Sequence, residues 1–278
     1  MTPWLEVIIP VANPGKELEV TAASLVAQTD RNFAVVLSDN YPSTGQQHLA
    51  AAQAQLTAAN IPVRRVCPPL ALGRIEHWNW AHAQAEADWI KPLFAGERLL
   101  PAYVGRLQKC VSQRPRAQFV RCDAEISSEW GRETLHAPFT QDLVSPAEFL
   151  NYFPAQSAWL GNLINVAYTR VAWRALGGYS VHLLAGAPLN LNVLMALHHG
   201  VVNMPECLAA FECPEPTSPL SGRAGRFSRS LEMWLILRQA RNYCDSAKLT
   251  WPERGILPAL WRQIVASAPK TPPLPLTI

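Results

Sequence analysis

The sequence predicts an α/β domain with a mostly parallel β-sheet flanked by helices, followed by a helical extension. Two patterns lead to this prediction: short apolar runs alternate with segments of helical periodicity, and most of the runs are apolar at every position, as in strands covered on both faces. The chain has 278 residues, 49% of them hydrophobic. That is enough to form the core of one large domain.

The elements follow from the apolar runs and the residues that end them. Strands are predicted at 5–9, 33–37, 61–66, 89–94, 118–122, 165–169, 201–204 and 208–211. The first strand should stop at Pro10, since proline cannot donate to a sheet ladder. Helices are predicted after Gly15 and at 46–59, 75–85, 170–176 and 188–199. A further helix should begin at Ser145, which forms a capping box with Glu148.

The composition changes after Cys213, where several prolines and glycines interrupt the pattern. Amphipathic helices are predicted beyond this stretch, at 227–243 and 252–266, and a proline-rich tail follows. We therefore expect two regions: a main domain at 1–215, and a loop, helices and tail at 216–278. The second region can pack on the domain, form a dimer or rest on a membrane.

Charge and cysteine content exclude several classes of protein. The formal net charge is +3, from 24 basic and 21 acidic residues, without the basic runs that bind nucleic acid. The six cysteines are scattered and lack zinc-ligand spacing. The sequence shows no secretory signal and no apolar run long enough to span a bilayer. We expect a cytoplasmic protein that is soluble or peripheral at the inner face of the membrane.

Ligands of open parallel sheets bind beyond the carboxyl ends of the strands. The segments that follow three predicted strands are therefore candidates for a site: 10–13, 38–40 and 94–97. All three should meet at one edge of the sheet.

The ordered motifs of the chain resemble glycosyltransferase family 2, whose fold is the Rossmann-like GT-A architecture. The likeness extends over roughly residues 4–215 and rests on the shared order of the pieces. These are Val7-Ile8-Ile9-Pro10 with Asn13, the segment 24–29, Val35-Val36-Leu37-Ser38-Asp39-Asn40, Gly73-Arg74, Asn79-Trp80-Ala81, the segment 89–94, Leu99-Leu100-Pro101 and Gly177-Gly178-Tyr179.

The resemblance implies a domain that binds a nucleotide-diphosphate sugar and passes the sugar to a glycan or lipid-linked acceptor. It assigns nucleotide binding to Pro10, Asn13, Asp39 and Arg74. A carboxylate at the end of a strand can accept hydrogen bonds from a base or a ribose hydroxyl. Two alternatives stay open at this point: Asp39 can instead cap a turn before Pro42, and Arg74 can lie on a solvated helix face.

Two acidic motifs of the family are missing. Near-adjacent aspartates that hold a divalent cation, Mn²⁺ or Mg²⁺, are replaced by Phe94-Ala95-Gly96-Glu97. Glu97 alone is left as a metal ligand, and it can equally pair with Arg98 or Lys91. The aspartate that acts as catalytic base has no counterpart, because the segment 184–192 contains no carboxylate.

Arg223 and Arg226 lie where related enzymes fold a loop over the donor, so the resemblance makes them candidates for contacts with the diphosphate. Guanidinium groups can neutralise phosphate without a metal. They can equally meet lipid headgroups or the acidic surface of a partner.

The sequence thus leaves two main hypotheses. The first is an active glycosyltransferase of bacterial surface polysaccharide synthesis. The second is an inactive relative that binds or scaffolds, favoured by the missing acids. A nucleotidyltransferase is a weaker third hypothesis, since no glycine-rich phosphate loop with a lysine follows the first strand.

Overall fold

The computed structural model describes residues 3–40, 45–128, 131–153, 158–212 and 223–252, and for a few of these only the backbone. The strands are β1 (Leu5–Val11), β2 (Ala34–Asp39), β3 (Val63–Val66), β4 (Trp89–Pro92), β5 (Arg98–Leu99), β6 (Phe119–Ser128), β7 (Gly131–Leu135), β8 (Leu143–Val144), β9 (Val166–Thr169) and β10 (Val201–Glu212). The α-helices are α1 (Glu17–Val26), α2 (Gln46–Ala58), α3 (Arg74–Ala83), α4 (Tyr103–Gln113), α5 (Pro146–Phe149), α6 (Arg170–Ala175), α7 (Ala187–His199) and α8 (Arg223–Ala247).

One sheet runs through the molecule in the order β3-β2-β1-β4-β9-β6-β10-β5. The first four strands are mutually parallel, and β9 is antiparallel to both of its neighbours. Strands β6 and β10 are parallel to each other and run in the same direction as β1. The predicted fold class, a mostly parallel sheet flanked by helices, is confirmed.

The strands divide two apolar cores because alternate side chains point to opposite faces of a sheet. In β1, Val7 and Ile9 enter the core that includes α1, α2 and α4, whereas Ile8 enters the core that includes α3, α7 and α8. All three side chains are fully buried. This two-sided burial explains why the run is apolar at every position.

The predicted stop at Pro10 is wrong, because β1 continues to Val11. The carbonyl of Ile8 accepts the N–H of Leu93, so Ile8 faces β4, and by alternation Pro10 faces the same side. The ladder between β1 and β4 ends at the pair Ile8–Pro92. Pro10, which has no N–H, therefore lies beyond the last pair of this ladder, where β4 offers no acceptor.

Other departures reflect tertiary contacts. The strands predicted at 201–204 and 208–211 form one strand, β10, whose register with β6 shifts between Met204 and Ala209. Helix α4 and strand β7 were not predicted, although Val104 and Leu107 of α4 lie in the core. The capping box at Ser145 is confirmed, but its helix has only four residues.

Helix α8 packs on α7 and buries Met233, Ile236, Leu237, Ala240 and Cys244 in the same core. The helix predicted at 252–266 and the loop at 216–222 lie outside the described residues, so the division at 215 stays a prediction. None of the helices in the described part of the chain has the length and apolar character needed to cross a bilayer.

Candidate functional site

The carboxyl ends of the three strands β1, β2 and β4 lie side by side. Strand β1 pairs with β2 up to Val11–Asp39 and with β4 up to Ile8–Pro92. The segments that follow them therefore begin at one edge of the sheet, as predicted from the sequence. Asn13, in the first of these segments, has a φ of 56° and is exposed, a conformation that asparagine tolerates well.

Asp39 is fully buried at the end of β2 and holds an ion pair. A single carboxylate oxygen, Oδ2, accepts two hydrogen bonds, one from Arg65 at 2.6 Å and one from Gln46 at 3.0 Å. Arg65 also bonds to Gln46. The three side chains form a polar cluster at the carboxyl end of β2. The sequence prediction named only Asp39, although the arginine that interrupts an apolar strand was a usable signal.

Asn40 connects this cluster to the start of α3. Its side-chain oxygen accepts the N–H of Leu72 at 2.9 Å, and its side-chain nitrogen donates to the carbonyl of Leu72 at 2.8 Å. Asn40 is 6% exposed. These paired bonds fix the chain immediately before Gly73 and Arg74. Arg74, which was predicted to bind the nucleotide, therefore begins a helix that is connected to the Asp39 loop.

Arg74 is exposed in the first turn of α3. Its guanidinium lies over the ring of Trp78, 5.5 Å from the centroid, and donates to the carbonyl of Leu184. Trp78 in turn packs on Phe94, with ring centroids 4.7 Å apart. The cation therefore stands above an aromatic layer that continues into the 94–97 segment.

The 94–97 segment forms a tight turn that explains the missing aspartate. Gly96 has a φ of 92°, a conformation that residues with a side chain rarely adopt. Its N–H donates to the hydroxyl of Thr21 at 2.9 Å, and the same hydroxyl donates to the carbonyl of Glu97 at 2.9 Å. The Glu97 carboxylate folds back onto the N–H of Phe94 at 2.9 Å. Glu97 thus closes the turn from within.

Lys91 lies beneath this turn and is fully buried. Its ammonium donates to the carbonyls of Pro92 at 2.6 Å and Leu163 at 3.0 Å. Burial lowers the pKa of Lys91 to about 8, although Glu97 opposes the shift. Burial likewise raises the pKa of Glu97 to about 7, and Lys91 opposes that shift. Arg98, the other predicted partner of Glu97, instead faces Glu212 at 3.9 Å.

The donor set of this turn does not fit a divalent cation. Mg²⁺ and Mn²⁺ are held by several oxygen ligands, whereas Gly96 has no side chain and the Glu97 carboxylate is already bound to a backbone N–H. Among the described residues, no group of three His, Cys, Asp or Glu side chains is arranged to bind a metal.

The segment 184–192 has no carboxylate of its own, but a carboxylate from another helix contacts it. Glu232 of α8 is 6% exposed and accepts hydrogen bonds from the backbone N–H groups of Leu184 at 2.9 Å, Ala185 at 3.0 Å and Gly186 at 2.6 Å. The sequence prediction missed it. The available signal was a single acid within an apolar stretch of the predicted helix.

Asn190 and Asn192, in the first half of α7, are both buried. Asn192 donates to the carbonyls of Leu160 at 2.7 Å and Asn162 at 3.2 Å. Asn192 therefore stabilises a neighbouring loop, and this contact accounts for the amide at position 192.

Strand β6 holds a further buried acid. Asp123 is buried in β6 and pairs with Arg121 at 2.5 Å and His136 at 2.6 Å. The backbone of Arg223 and Arg226 belongs to the first turns of α8, but their side chains lie outside the described part of the structure. Their contact with a diphosphate stays a prediction.

No protein-family model matches the sequence, and no curated protein sequence matches it. Solved structures do match the fold. TarS of S. aureus gives a TM-score of 0.62 at 14% identity over 86% of this chain, which spans 39% of that chain. TarS 1–349 in complex with UDP gives 0.62 at 13% identity, with 97% and 81% of the two chains covered.

The mannosyltransferase PcManGT from Pyrobaculum calidifontis, in complex with GDP-Man and Mn²⁺, gives a TM-score of 0.60 at 16% identity. The match covers 96% of this chain and 74% of that chain. At these identities the likeness establishes the fold. The chain is similar in architecture to TarS, which was crystallised in complex with UDP, and to a mannosyltransferase in complex with GDP-Man and Mn²⁺.

Proposed function

We propose that this chain is a glycosyltransferase of the family 2 type that transfers a sugar from a nucleotide-diphosphate sugar to a glycan or lipid-linked acceptor in bacterial surface polysaccharide synthesis. The observation that supports the proposal most strongly is the cluster of Asp39, Arg65 and Gln46 at the edge where β1, β2 and β4 end. The fold likeness to TarS with UDP and to PcManGT with GDP-Man is consistent with it.

Each side of the edge has a distinct role in the proposal. The buried Asp39 cluster recognises the base and ribose, with Pro10 and Asn13 forming the adjoining wall. Arg74, on the other side, meets the diphosphate. A guanidinium suits this role because it stays charged and can donate two parallel hydrogen bonds to phosphate oxygens.

The transfer step breaks the bond between the anomeric carbon and the diphosphate oxygen, and a bond from the acceptor hydroxyl to that carbon forms. Negative charge develops on the departing diphosphate, so a fixed cation beside it lowers the barrier. Since the 94–97 turn does not fit a divalent cation, we assign this charge neutralisation to Arg74, joined by Arg223 and Arg226. The proton of the acceptor hydroxyl passes to an oxygen of the departing diphosphate, so that the products are the glycosylated acceptor and the nucleoside diphosphate.

Nucleotide binding is tested by thermal unfolding with UDP, GDP and their sugars. We expect one nucleotide series to raise the melting temperature of the wild type, and Asp39→Asn to abolish the increase. Asp142→Asn is the matched control, because Asp142 also pairs with an arginine, Arg114 at 3.0 Å, but is largely exposed. The absence of a shift with every nucleotide would contradict the proposal.

A second candidate function is nucleotide-sugar binding without transfer. It is favoured by the glycine at 96 and by the lack of a carboxylate within 184–192. The two functions differ in turnover: an active enzyme releases nucleoside diphosphate from its sugar donor when acceptor is present. Binding that Asp39→Asn abolishes, without release of diphosphate from any donor, would favour the binding protein.

We further propose that the protein contacts the inner face of the membrane peripherally, in the cytoplasm. Leu231 and Trp234 of α8 are each 48% exposed, and Leu235 is 37% exposed. The guanidinium of Arg238 lies 5.4 Å from the ring centroid of Trp234. An exposed apolar stripe beside arginine is typical of interfacial helices.

Vesicle co-sedimentation tests this contact. The pair Trp234→Ser and Leu235→Ser should reduce binding to vesicles that contain anionic phospholipid. Val171→Ser is the control, because Val171 is 70% exposed on α6. Equal binding by all variants would exclude the stripe as a membrane contact.

A further inference from the structure

Glu232 ties α8 to the loop that precedes α7. Its two carboxylate oxygens accept three backbone N–H groups in succession, those of Leu184, Ala185 and Gly186. The carboxylate also lies at the N-terminus of the 13-residue helix α7, where negative charge is favoured by the helix dipole. Such a cluster holds three consecutive residues of a loop in one conformation.

Gly186 shows how closely the helix approaches this loop. A Cβ added there would lie 2.9 Å from Cδ1 of Ile236 and 3.0 Å from Oε2 of Glu232. Both atoms belong to α8. The loop and the helix are therefore in contact through both an apolar and a charged group, and the glycine permits the approach.

The same loop carries the acceptor for Arg74. Leu184 donates its N–H to Glu232 and presents its carbonyl to the guanidinium of Arg74. One peptide segment thus connects the buried carboxylate of α8 to the exposed cation of α3. Both this carbonyl and the face of the Trp78 ring contact the guanidinium.

We propose that Glu232 is a positioning residue for Arg74: by fixing the 184–186 loop, it sets the carbonyl that orients the guanidinium toward the diphosphate of the donor. This inference rests on the proposed function. It makes α8 part of the donor site even though Glu232 itself touches no ligand.

A Glu232 that only stabilises the fold and a Glu232 that positions Arg74 would affect ligand binding differently. A general loss of structure would weaken the binding of every nucleotide alike. Loss of the Arg74 orientation would weaken the binding of a nucleoside diphosphate. The binding of the matching nucleoside, which has no phosphate, would be unaffected, because the base and ribose are bound at Asp39.

The test is a double-mutant cycle measured by calorimetry with UDP or GDP, whichever binds, and with the matching nucleoside. We expect Glu232→Gln to weaken diphosphate affinity about fivefold or more and to leave nucleoside affinity unchanged. Arg74→Ala should have a similar effect, and the double variant should be no weaker than Arg74→Ala alone. Asp245→Asn, on the exposed part of the same helix, is the control.

Gly186→Ala provides a second variant if Glu232→Gln does not fold, since the added methyl separates the loop from α8 while both charges remain. Equal losses for diphosphate and nucleoside, or additive effects of Glu232→Gln and Arg74→Ala, would overturn the inference alone. A wild type that binds no nucleotide would remove the proposed function, and this inference with it.

Discussion

The carboxylate of Glu232 accepts the backbone N–H of Gly186 at 2.6 Å, although 46 residues separate them in the chain. This contact places a negative charge at the start of α7, where the preceding segment has no acid of its own. Helix α8 is therefore held on the domain by a charged contact as well as by apolar packing.

Glu232→Gln should lower the free energy of unfolding by roughly 2–3 kcal/mol. Hydrogen bonds to a charged group are worth about 1.5–3 kcal/mol each. The amide NH₂ of the new glutamine is itself a donor, so it cannot accept the N–H groups of the 184–186 loop. Urea unfolding measures the change. Asp245→Asn, on the exposed end of α8, should stay within about 0.5 kcal/mol of the wild type. Equal stabilities of the two variants would contradict the role of the carboxylate.

Gly178→Ala should be much more destabilising than Gly177→Ala. Both glycines have positive φ, 73° and 77°, so each alanine incurs about 1–2 kcal/mol of backbone strain. At 178 the new Cβ would also lie 2.5 Å from Oδ1 of Asn79 and 2.8 Å from the ring of Trp173, whereas nothing lies within 4 Å at 177. Thermal unfolding of the two variants should separate these effects. Similar losses would show that the turn relaxes.

The clash at 178 matters because Asn79 holds the turn through Tyr179. Its side chain donates to the carbonyl of Tyr179 at 2.8 Å and accepts the N–H of the same residue at 2.8 Å. Displacing Asn79 would break both bonds at once. Asn79→Ala should therefore reproduce part of the loss caused by Gly178→Ala.

Stability should fall as the pH is lowered from about 6.5 towards 4. Burial lowers the pKa of His77 and His82 from 6.5 to about 4. Between these values the unfolded chain binds protons that the folded chain does not, so unfolding becomes easier as the pH falls. His82→Phe, which keeps a ring beside Trp173, should make the dependence of unfolding free energy on pH shallower. An unchanged slope would contradict the prediction.

Nucleotide stabilisation should be the same in Mn²⁺ and in EDTA, because the 94–97 turn lacks the oxygen ligands that a divalent cation needs. Glu97→Gln should also leave it unchanged, since the amide oxygen can still accept the N–H of Phe94. Thermal unfolding with nucleotide checks both statements. A shift that requires Mn²⁺ and disappears in Glu97→Gln would instead identify Glu97 as a metal ligand.

Local patterns were sufficient for much of the fold. Apolar runs predicted β1, β2 and β4 because these strands are buried on both faces, and the Ser145 capping box depends on a separation of three residues. The continuation of β1 through Pro10 was not predictable in this way. It depends on where the neighbouring strand β4 ends, which is a property of the sheet.

The candidate site shows the same division. Asp39 was singled out because it lies in the segment 38–40 at the end of a predicted strand and fits the family resemblance. Its partner Arg65 is 26 residues away and comes from another strand. The fit of Glu97 to the Phe94 N–H depends on the positive φ of Gly96. Sequence spacing reports neither the partner nor the turn.

The sequence by itself determined that a mostly parallel α/β sheet forms and which loops meet at its edge, because burial on two faces is visible in the apolar runs and the alternation of strands with helices favours parallel pairing. Only the tertiary structure decided what those loops contain: an aspartate already paired with Arg65, a turn closed by its own glutamate, and a carboxylate brought to Gly186 by α8. These contacts join residues far apart in the chain, and their energies depend on distance and burial that only the packed structure defines.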